Sequence, residues 1–510
     1  MTINSTLGPN GYEVSIPAPV SGGEPAGAAR RLLVALLGDS QTHNANQQRV
    51  PSAVAYTSGT GLLTLTNAGH GINTGELINF KCTGDRKWNA YDALVTRIDA
   101  NTLSITIPNG ISGSPTAANC LFGRPAYLVS TGIQSHLIDL SGGGLQTTRN
   151  AGVLGETIRQ ICDRVSEINN IEHDVLVAQG GHNDVNASSD TAMFGRFIDI
   201  LTQYSGGKPV VVINMTPAYP GKWGASDAAN AQKTIDYNAL LATLPTVYPR
   251  KVAVVDAWSL ANDVGNSGYA KAGATTDGLH WSGALSRAIA GQVVSAINTL
   301  CGTPAAYPLP ISQYSGYNAT NNPDSANKHA NPLVLTTTGG SLNGNPGSAG
   351  LGFGVQAWVA ASGTLASVVP ATGGSGNAQK FVGTPTGAGT GIRVDVSSLS
   401  SRFSPGQKIQ FACRLTTRGF SSQANTVSMS VQASMAVDGV TSSFPLYNGG
   451  GVVVNADQDD RTSAIVVSQP YMIPAGTSLT SLSWYVAGYL GAAGSQIEIE
   501  VSEVDVRVVA

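Results

Sequence analysis

Two hydrophobic rhythms alternate between residues 31 and 300. Short apolar runs at 32–37, 175–178, 210–215 and 252–255 are separated by stretches whose apolar residues recur one helical turn apart. Ile158, Ile161, Val165 and Ile168 form one such stripe, and Leu285, Ile289, Val293, Ile297 and Leu300 form another. Buried strands alternating with amphipathic helices predict an α/β domain built on a parallel sheet.

Between about residues 51 and 124 the rhythm changes to period two, with Leu103, Ile105 and Ile107 alternating with Ser104 and Thr106. A small all-β insertion is predicted there, splitting the α/β domain into 31–50 and 125–302. Residues 1–30 read as an N-terminal extension. The Pro- and Asn-rich segment 303–332 cannot continue a helix and reads as a linker or long surface loop.

From 333 to 510 the signal is all β. Val427, Met429, Val431, Ala433, Met435 and Val437 alternate with Ser428, Ser430, Gln432 and Ser434, as in a strand with one buried and one solvated face. Ile497, Ile499 and Val501 keep one phase and Val504, Val506 and Val508 the other, so a β-bulge is expected near Glu503. Strands of this kind, divided by Gly- and Ser-rich turns, fit a β-sandwich or jelly roll.

Charged residues make up only 12% of the 510, against roughly 25% in an average soluble domain. The surface is therefore covered by hydroxyl and amide side chains and glycine, which suits work outside cells. A net charge of -3 offers no footprint for nucleic acid. No apolar run is long enough to span a bilayer, and the opening MTINSTLGPNGYEVS has neither the basic nor the apolar region of a secretory signal. One resolution of an extracellular composition without an export signal is a virus particle released by lysis. The five cysteines, Cys82, Cys120, Cys162, Cys301 and Cys413, are scattered singly without metal-ligand spacing and read as buried thiols.

The run LLVALLGDSQT ends an apolar strand in Gly38-Asp39-Ser40. That places a serine hydroxyl at the carboxyl edge of the sheet, where open α/β folds bind ligands. A serine becomes nucleophilic only when a base takes its proton and a carboxylate fixes that base's tautomer. Asp277-Gly278-Leu279-His280 supplies both, after the run at 252–255 and before the last amphipathic stretch. Donors for an oxyanion are offered by the Gly155 backbone N–H, in the segment from Asn150 to Thr157 that opens a helix, and by the Asn183 side-chain amide after the run at 175–178.

Each residue also has a structural reading. Ser40 suits a helix N-cap, Asp277 and His280 a capping pair, and Asn183 and Asp184 a turn, with the structural role favoured for Asp184. His43 and His182 lie near the cleft in sequence but read as surface histidines. Trp358, Tyr447, Trp484, Tyr485 and Tyr489 read mainly as core, with sugar stacking as the alternative.

Taken in order, GDS, the glycines of an NxGxxGxT segment, GxND and DxxH resemble the four blocks of the SGNH (GDSL-type) hydrolase superfamily. The resemblance covers about residues 31–50 and 125–300. It implies a flavodoxin-like α/β core and ester hydrolysis through an acyl-enzyme on Ser40. Asp277 and His280 would complete the triad, and the Ser40 N–H, Gly155 N–H and Asn183 amide would form the oxyanion hole. No metal or organic cofactor is implied. Two departures, the wide spacing from Ser40 to Gly155 and Trp281 in place of a common proline, bear on substrate choice.

The stretch NAGHGINTGELINFKC with the following NTLSITIP resembles small β modules of bacteriophage tail proteins. Together these readings point to a carbohydrate O-acetylesterase on a phage tail spike or fibre, acting on capsule or O-antigen. Its expected partners are an acetylated polysaccharide, its own copies in a homotrimer and other virion proteins, with neither nucleic acid nor membrane; its location is the virion or the extracellular space. The alternatives are a secreted cellular carbohydrate acetylesterase and a glycan-binding virion protein with a vestigial hydrolase domain.

Overall fold

The computed structural model describes residues 5–7, 13–15, 30–43, 49–126, 128–129, 131–312, 325–335, 347–348, 361–387, 390–396, 399–420, 427–447, 460–490 and 493–509. It divides into two compact units. One comprises Met1–His43, Gly144–Trp281 and Ala288–Ala306, and the other Asn44–Gly143, Ser282–Arg287 and Tyr307–Ala510. Within the first 30 residues, Ser5–Leu7 pairs antiparallel with Glu13–Ser15.

The first unit is built on five parallel strands: β1 (Leu32–Gly38), β2 (Leu145–Gly152), β3 (Val175–Ala178), β4 (Val210–Ile213) and β5 (Val252–Val255). Their order across the sheet is β2-β1-β3-β4-β5, the flavodoxin-like arrangement. The near-continuous apolar character of β1, β3 and β4 follows from burial on both faces of a parallel sheet. In that order the chain reverses direction across the sheet between β1 and β3, which opens a crevice at their carboxyl ends. Short helix α1 (Ser40–His43) leaves β1 there, and α2 (Ile158–Asp163), α3 (Asp190–Gln203), α4 (Asp227–Leu241) and α5 (Gly283–Cys301) follow.

Ile158, Ile161, Val165 and Ile168 are all buried, but not on one helix. The chain stops α2 at Asp163 and forms a second short helix, Ser166–Asn169, with Arg164 buried at the break. A guanidinium drawn inward by a buried carboxylate is what the simple stripe did not register. On α5 the stripe holds, with Ile289, Val293 and Ile297 fully buried.

In the second unit the insertion forms two antiparallel sheets. Ala53–Thr57, Leu62–Thr66, Thr102–Thr106 and Thr96–Arg97 make one, and Cys120–Gly123, Leu77–Cys82 and Ala90–Leu94 the other. Leu63, Leu65, Phe80, Trp88, Leu103, Ile105 and Phe122 share its core. Reading all five cysteines as thiols is corrected here: Cys82 and Cys120, 38 residues apart, are disulfide-bonded. Antiparallel pairing sets the two directly opposite each other, a proximity that sequence spacing does not reveal. Cys162 and Cys413 are buried thiols and Cys301 is half-buried. Burial pushes the thiols up, to about 11 at Cys162 and Cys301 and about 12 at Cys413.

The C-terminal strands form two largely antiparallel sheets. One is centred on Asn377–Pro385, Ile497–Val508 and Lys408–Arg418, the other on Thr390–Val396, Leu479–Leu490 and Val427–Val437. Phe381, Phe411, Ile499 and Val506 of the first share one core with Val431, Ala433, Met435 and Trp484 of the second. Trp484 stacks on Phe411 at 5.7 Å, and the Arg393 guanidinium lies 3.8 Å above the nearly buried Tyr485 ring. Trp358 and the side chains of Tyr447 and Tyr489 lie outside the described residues.

The bulge expected near Glu503 is present. Ala412 and Arg414 pair with Asp505 and Ser502, so Glu503 and Val504 face Cys413 alone, and Glu503 takes φ 48°. Of the 303–332 segment, residues 325–332 are pinned beside this bulge rather than loose. Asn327 Nδ2 donates to the Val504 carbonyl at 2.9 Å, the Lys328 N–H to Val506 at 2.7 Å, and the Val504 N–H donates to Pro332 at 2.9 Å. A bulge frees backbone groups from their ladder, and this segment satisfies them.

Candidate active site

Gly38 closes β1 where no side chain fits. A Cβ there would lie 2.3 Å from Thr42 Oγ1 and 2.8 Å from the Gln179 carbonyl oxygen. The chain therefore turns tightly into α1 and leaves Ser40 at the carboxyl edge of the sheet. Asn150, at the end of β2, holds α1 in place by donating its amide to the Thr42 carbonyl at 2.9 Å and accepting the Gly152 N–H at 2.9 Å. Gly155 follows at φ 75°, a left-handed conformation glycine adopts without strain. Its N–H makes no hydrogen bond among the described residues. Thr157 then caps α2 in a reciprocal capping box with Gln160.

Asp277 and His280 arrive on the loop after β5. The Asp277 carboxylate accepts the Leu279 N–H at 3.0 Å and the His280 N–H at 2.9 Å, which folds the loop back on itself. Its other oxygen lies 2.7 Å from His280 Nδ1, and His280 Nε2 lies 3.0 Å from Ser40 Oγ. With Nδ1–H held by the carboxylate, Nε2 is left to accept the serine proton. Burial alone would raise the Asp277 carboxyl, but the hydrogen bonds from His280 and Leu279 outweigh it and hold it at about 2. The acid therefore stays ionised beside the imidazole at neutral pH.

Asn183 is half-buried, and its amide donates to the Glu156 carbonyl at 2.9 Å. An amide NH2 has two donors, so this bond orients the side chain beside the Gly155 turn and leaves the second hydrogen for another acceptor. Asp184, read as structural, caps α2 by accepting the Ile158 N–H at 2.8 Å. Burial raises its carboxyl despite that bond and Arg196.

His43 and His182 correct the expectation of surface histidines: both are buried. His43 Nδ1 lies 3.2 Å from the Gly152 carbonyl, where α1 crosses the end of β2. His182 sits against the Thr216 carbonyl through Nε2 at 3.2 Å, and Asp39 lies 4.0 Å from its Nδ1. Burial lowers its basicity, and the Asp39 charge only partly offsets this. His43 closes α1 and His182 lies in the turn after β3, and both side chains pack inside.

Three contributors were not singled out from the sequence. Gln41 reaches the His280 loop, donating to the Leu279 carbonyl at 2.9 Å and accepting the Trp281 N–H at 3.2 Å. Arg164 is buried, pairs with Glu156 at 2.6 Å, and donates to the carbonyls of Ala151 at 2.6 Å and Gly38 at 3.2 Å. It thereby ties the Gly155 turn to the strand that leads to Ser40, and with Arg159 in the same stretch nothing in the sequence singled it out. Lys222 donates to the Asp277 carbonyl at 2.9 Å. Among the described residues no group of three or more His, Cys, Asp or Glu side chains could hold a metal ion.

Residues 104–288 match the model of the GDSL-like Lipase/Acylhydrolase family. The chain carries a GDSL-like acylhydrolase domain. The match begins inside the β insertion, so Gly155, Asn183, Asp277 and His280 fall within it and Ser40 precedes it. No curated protein matches the chain. Among solved structures, the acylhydrolase domain is similar to a GDSL-like lipase from Bacteroides thetaiotaomicron, with 21% identity, a TM-score of 0.28, and 32% of this chain and 81% of that one covered. An aryl esterase of M. smegmatis matches at 14% identity and TM-score 0.31 over 53% of this chain and 99% of its own. An acetyl-xylooligosaccharide esterase from Geobacillus Stearmophilus matches at 12% identity and TM-score 0.31 over 54% and 95%.

Proposed function

We propose that this protein is a serine esterase that removes O-acetyl groups from a bacterial surface polysaccharide. The observation that carries the esterase reading is the hydrogen-bonded chain from Ser40 Oγ through His280 to Asp277 at the carboxyl edge of the sheet. Ser40 attacks the acyl carbonyl as His280 Nε2 takes its proton, and Asp277 stabilises the imidazolium. The Ser40 N–H, Gly155 N–H and second Asn183 amide hydrogen receive the oxyanion. His280 then protonates the departing sugar oxygen, and water releases acetate from Ser40 by the same steps in reverse.

Carbohydrate as substrate is supported by the weakly charged, hydroxyl-rich composition and by the appended antiparallel sheets, which suit a jelly-roll glycan binder. A bacteriophage tail spike or fibre, assembled as a homotrimer, is the setting we favour. The disulfide supports a site of action outside a reducing cytosol. Among the described residues no helix is long and apolar enough to cross a membrane.

The test is acetate release from acetylated bacterial capsules and from p-nitrophenyl acetate by wild type and Ser40→Ala. Wild type is expected to act on both and Ser40→Ala on neither. Full activity in the alanine variant would remove Ser40 from the mechanism. Hydrolysis of the small ester without action on any capsule would leave the esterase and overturn the polysaccharide.

A further inference from the structure

Gln41 is the residue next to Ser40, yet its side chain is buried and its bonds lead to another loop. Its amide nitrogen donates to the carbonyl of Leu279 and its amide oxygen accepts the N–H of Trp281, at 2.9 and 3.2 Å. These are the backbone groups on either side of His280. One planar carboxamide therefore brackets the histidine, with both of its polar ends used and no rotamer freedom left.

The far side of the bracket is also held. The Trp281 indole N–H donates to Thr216 Oγ1 at 3.1 Å, and the Thr216 carbonyl lies 3.2 Å from His182 Nε2. Gln179 then links this layer to Asp39, whose carboxylate accepts the Gln179 amide at 3.2 Å. Ser40 thus stands between two residues, Asp39 and Gln41, whose buried side chains both lead to the layer beneath His280. Asp277 fixes the tautomer and tilt of the imidazole, but it belongs to the same loop as His280 and so does not anchor that loop to α1. Among the described residues, that loop is joined to the helix bearing the nucleophile by the His280–Ser40 bond itself and by the two bonds of Gln41.

We propose that Gln41 is a positioning residue that sets the distance between His280 Nε2 and Ser40 Oγ. The inference rests on the serine esterase reading above. An intramolecular proton transfer falls steeply when its partners drift by about 1 Å, so loosening the loop lowers turnover by about 10- to 100-fold rather than weakening substrate binding.

The experiment compares wild type, Gln41→Leu, Gln41→Glu and His280→Ala on p-nitrophenyl acetate. Turnover is expressed per active site titrated to completion with a fluorophosphonate, so that unfolded molecules are not counted. Gln41→Leu is expected to lose about 10- to 100-fold in kcat with KM within about twofold. Gln41→Glu keeps the shape and the acceptor for Trp281 and is expected to fall between Gln41→Leu and wild type. It also carries the test if Gln41→Leu gives no titratable sites.

A kcat within twofold of wild type in Gln41→Leu overturns the proposal, as does a loss confined to KM. If Gln41→Leu is silent to titration, a wild-type kcat in Gln41→Glu overturns it. Unchanged turnover in His280→Ala would instead overturn the esterase reading itself, so the two failures are distinguishable.

Discussion

In the parallel-sheet unit one series of buried polar side chains leads toward Ser40, whereas the buried ion pairs of the other unit join separated segments to one another. Gln41, Asp39, Gln179, Thr216 and Arg164 each bond to a group one step from Ser40, His280 or Gly155. The series ends on atoms left for a substrate. In the second unit Asp139 accepts from Arg287 at 2.6 Å and from Arg461 at 3.1 Å, Arg414 pairs with Glu503 at 2.7 Å, and the Tyr307 hydroxyl donates to Asp505 at 2.6 Å. These groups join separated segments of the chain, and none of them bonds to a nucleophile or its base. Buried polarity marks a reaction centre here because its bonds converge on a nucleophile and the base beside it.

That contrast is broken most sharply by substitutions that exchange the two outcomes. His280→Ala is expected to lower kcat by a factor on the order of 10⁶, with the midpoint of urea unfolding unchanged. A comparable loss of stability would make His280 a structural residue instead. Asp139→Asn, in the second unit, is expected to do the reverse. It leaves two guanidinium groups without their shared carboxylate, which costs about 3–5 kcal/mol in unfolding free energy while kcat stays at the wild-type value. A drop in kcat in the folded variant would erase the distinction between the two units.

The smallest effect concerns Asp277 and pH. Its carboxyl is held at about 2 in the folded chain, below the ordinary 3.8, so its contribution to stability is present above about pH 4 and is lost as pH falls toward 2. Its side chain is 48% exposed, so solvent screening keeps that contribution within about 1 kcal/mol. The stability gap between wild type and Asp277→Asn is expected to be flat from about pH 5 to 7 and to close from about pH 4 to 2. A gap that widens in acid would show that the carboxyl is raised rather than lowered.

The sequence made β1, β3 and β4 legible because strands inside a parallel sheet are apolar over their whole length, and β5 legible because its VAVV is apolar even at a sheet edge. It hid β2, the other edge strand, whose LQTTRNAG is too polar to stand out as an apolar run. The bulge at Glu503 was legible because a change of phase in a period-two pattern has one geometric meaning. The disulfide was not, since facing positions are set by register and not by spacing. At the candidate site, Ser40, Gly155, Asn183, Asp277 and His280 could be read from four short blocks at strand ends. Gln41 and Arg164 could not, because their function lies in backbone groups they reach across the fold. The burial of His43 and His182 was hidden for a related reason, as the carbonyls that meet them, Gly152 and Thr216, come from other segments of the chain.

The central claim is that His280 activates Ser40, and the most direct measurement is the site and rate of covalent capture. Wild type and His280→Ala are treated with a fluorophosphonate, and the adduct is located by peptide mass spectrometry. One adduct on Ser40 in wild type, formed at least 10³-fold more slowly in folded His280→Ala, is the expected result on the order of effect seen when a serine loses its base. An adduct on another residue, or equal labelling rates in the two proteins, would contradict the account.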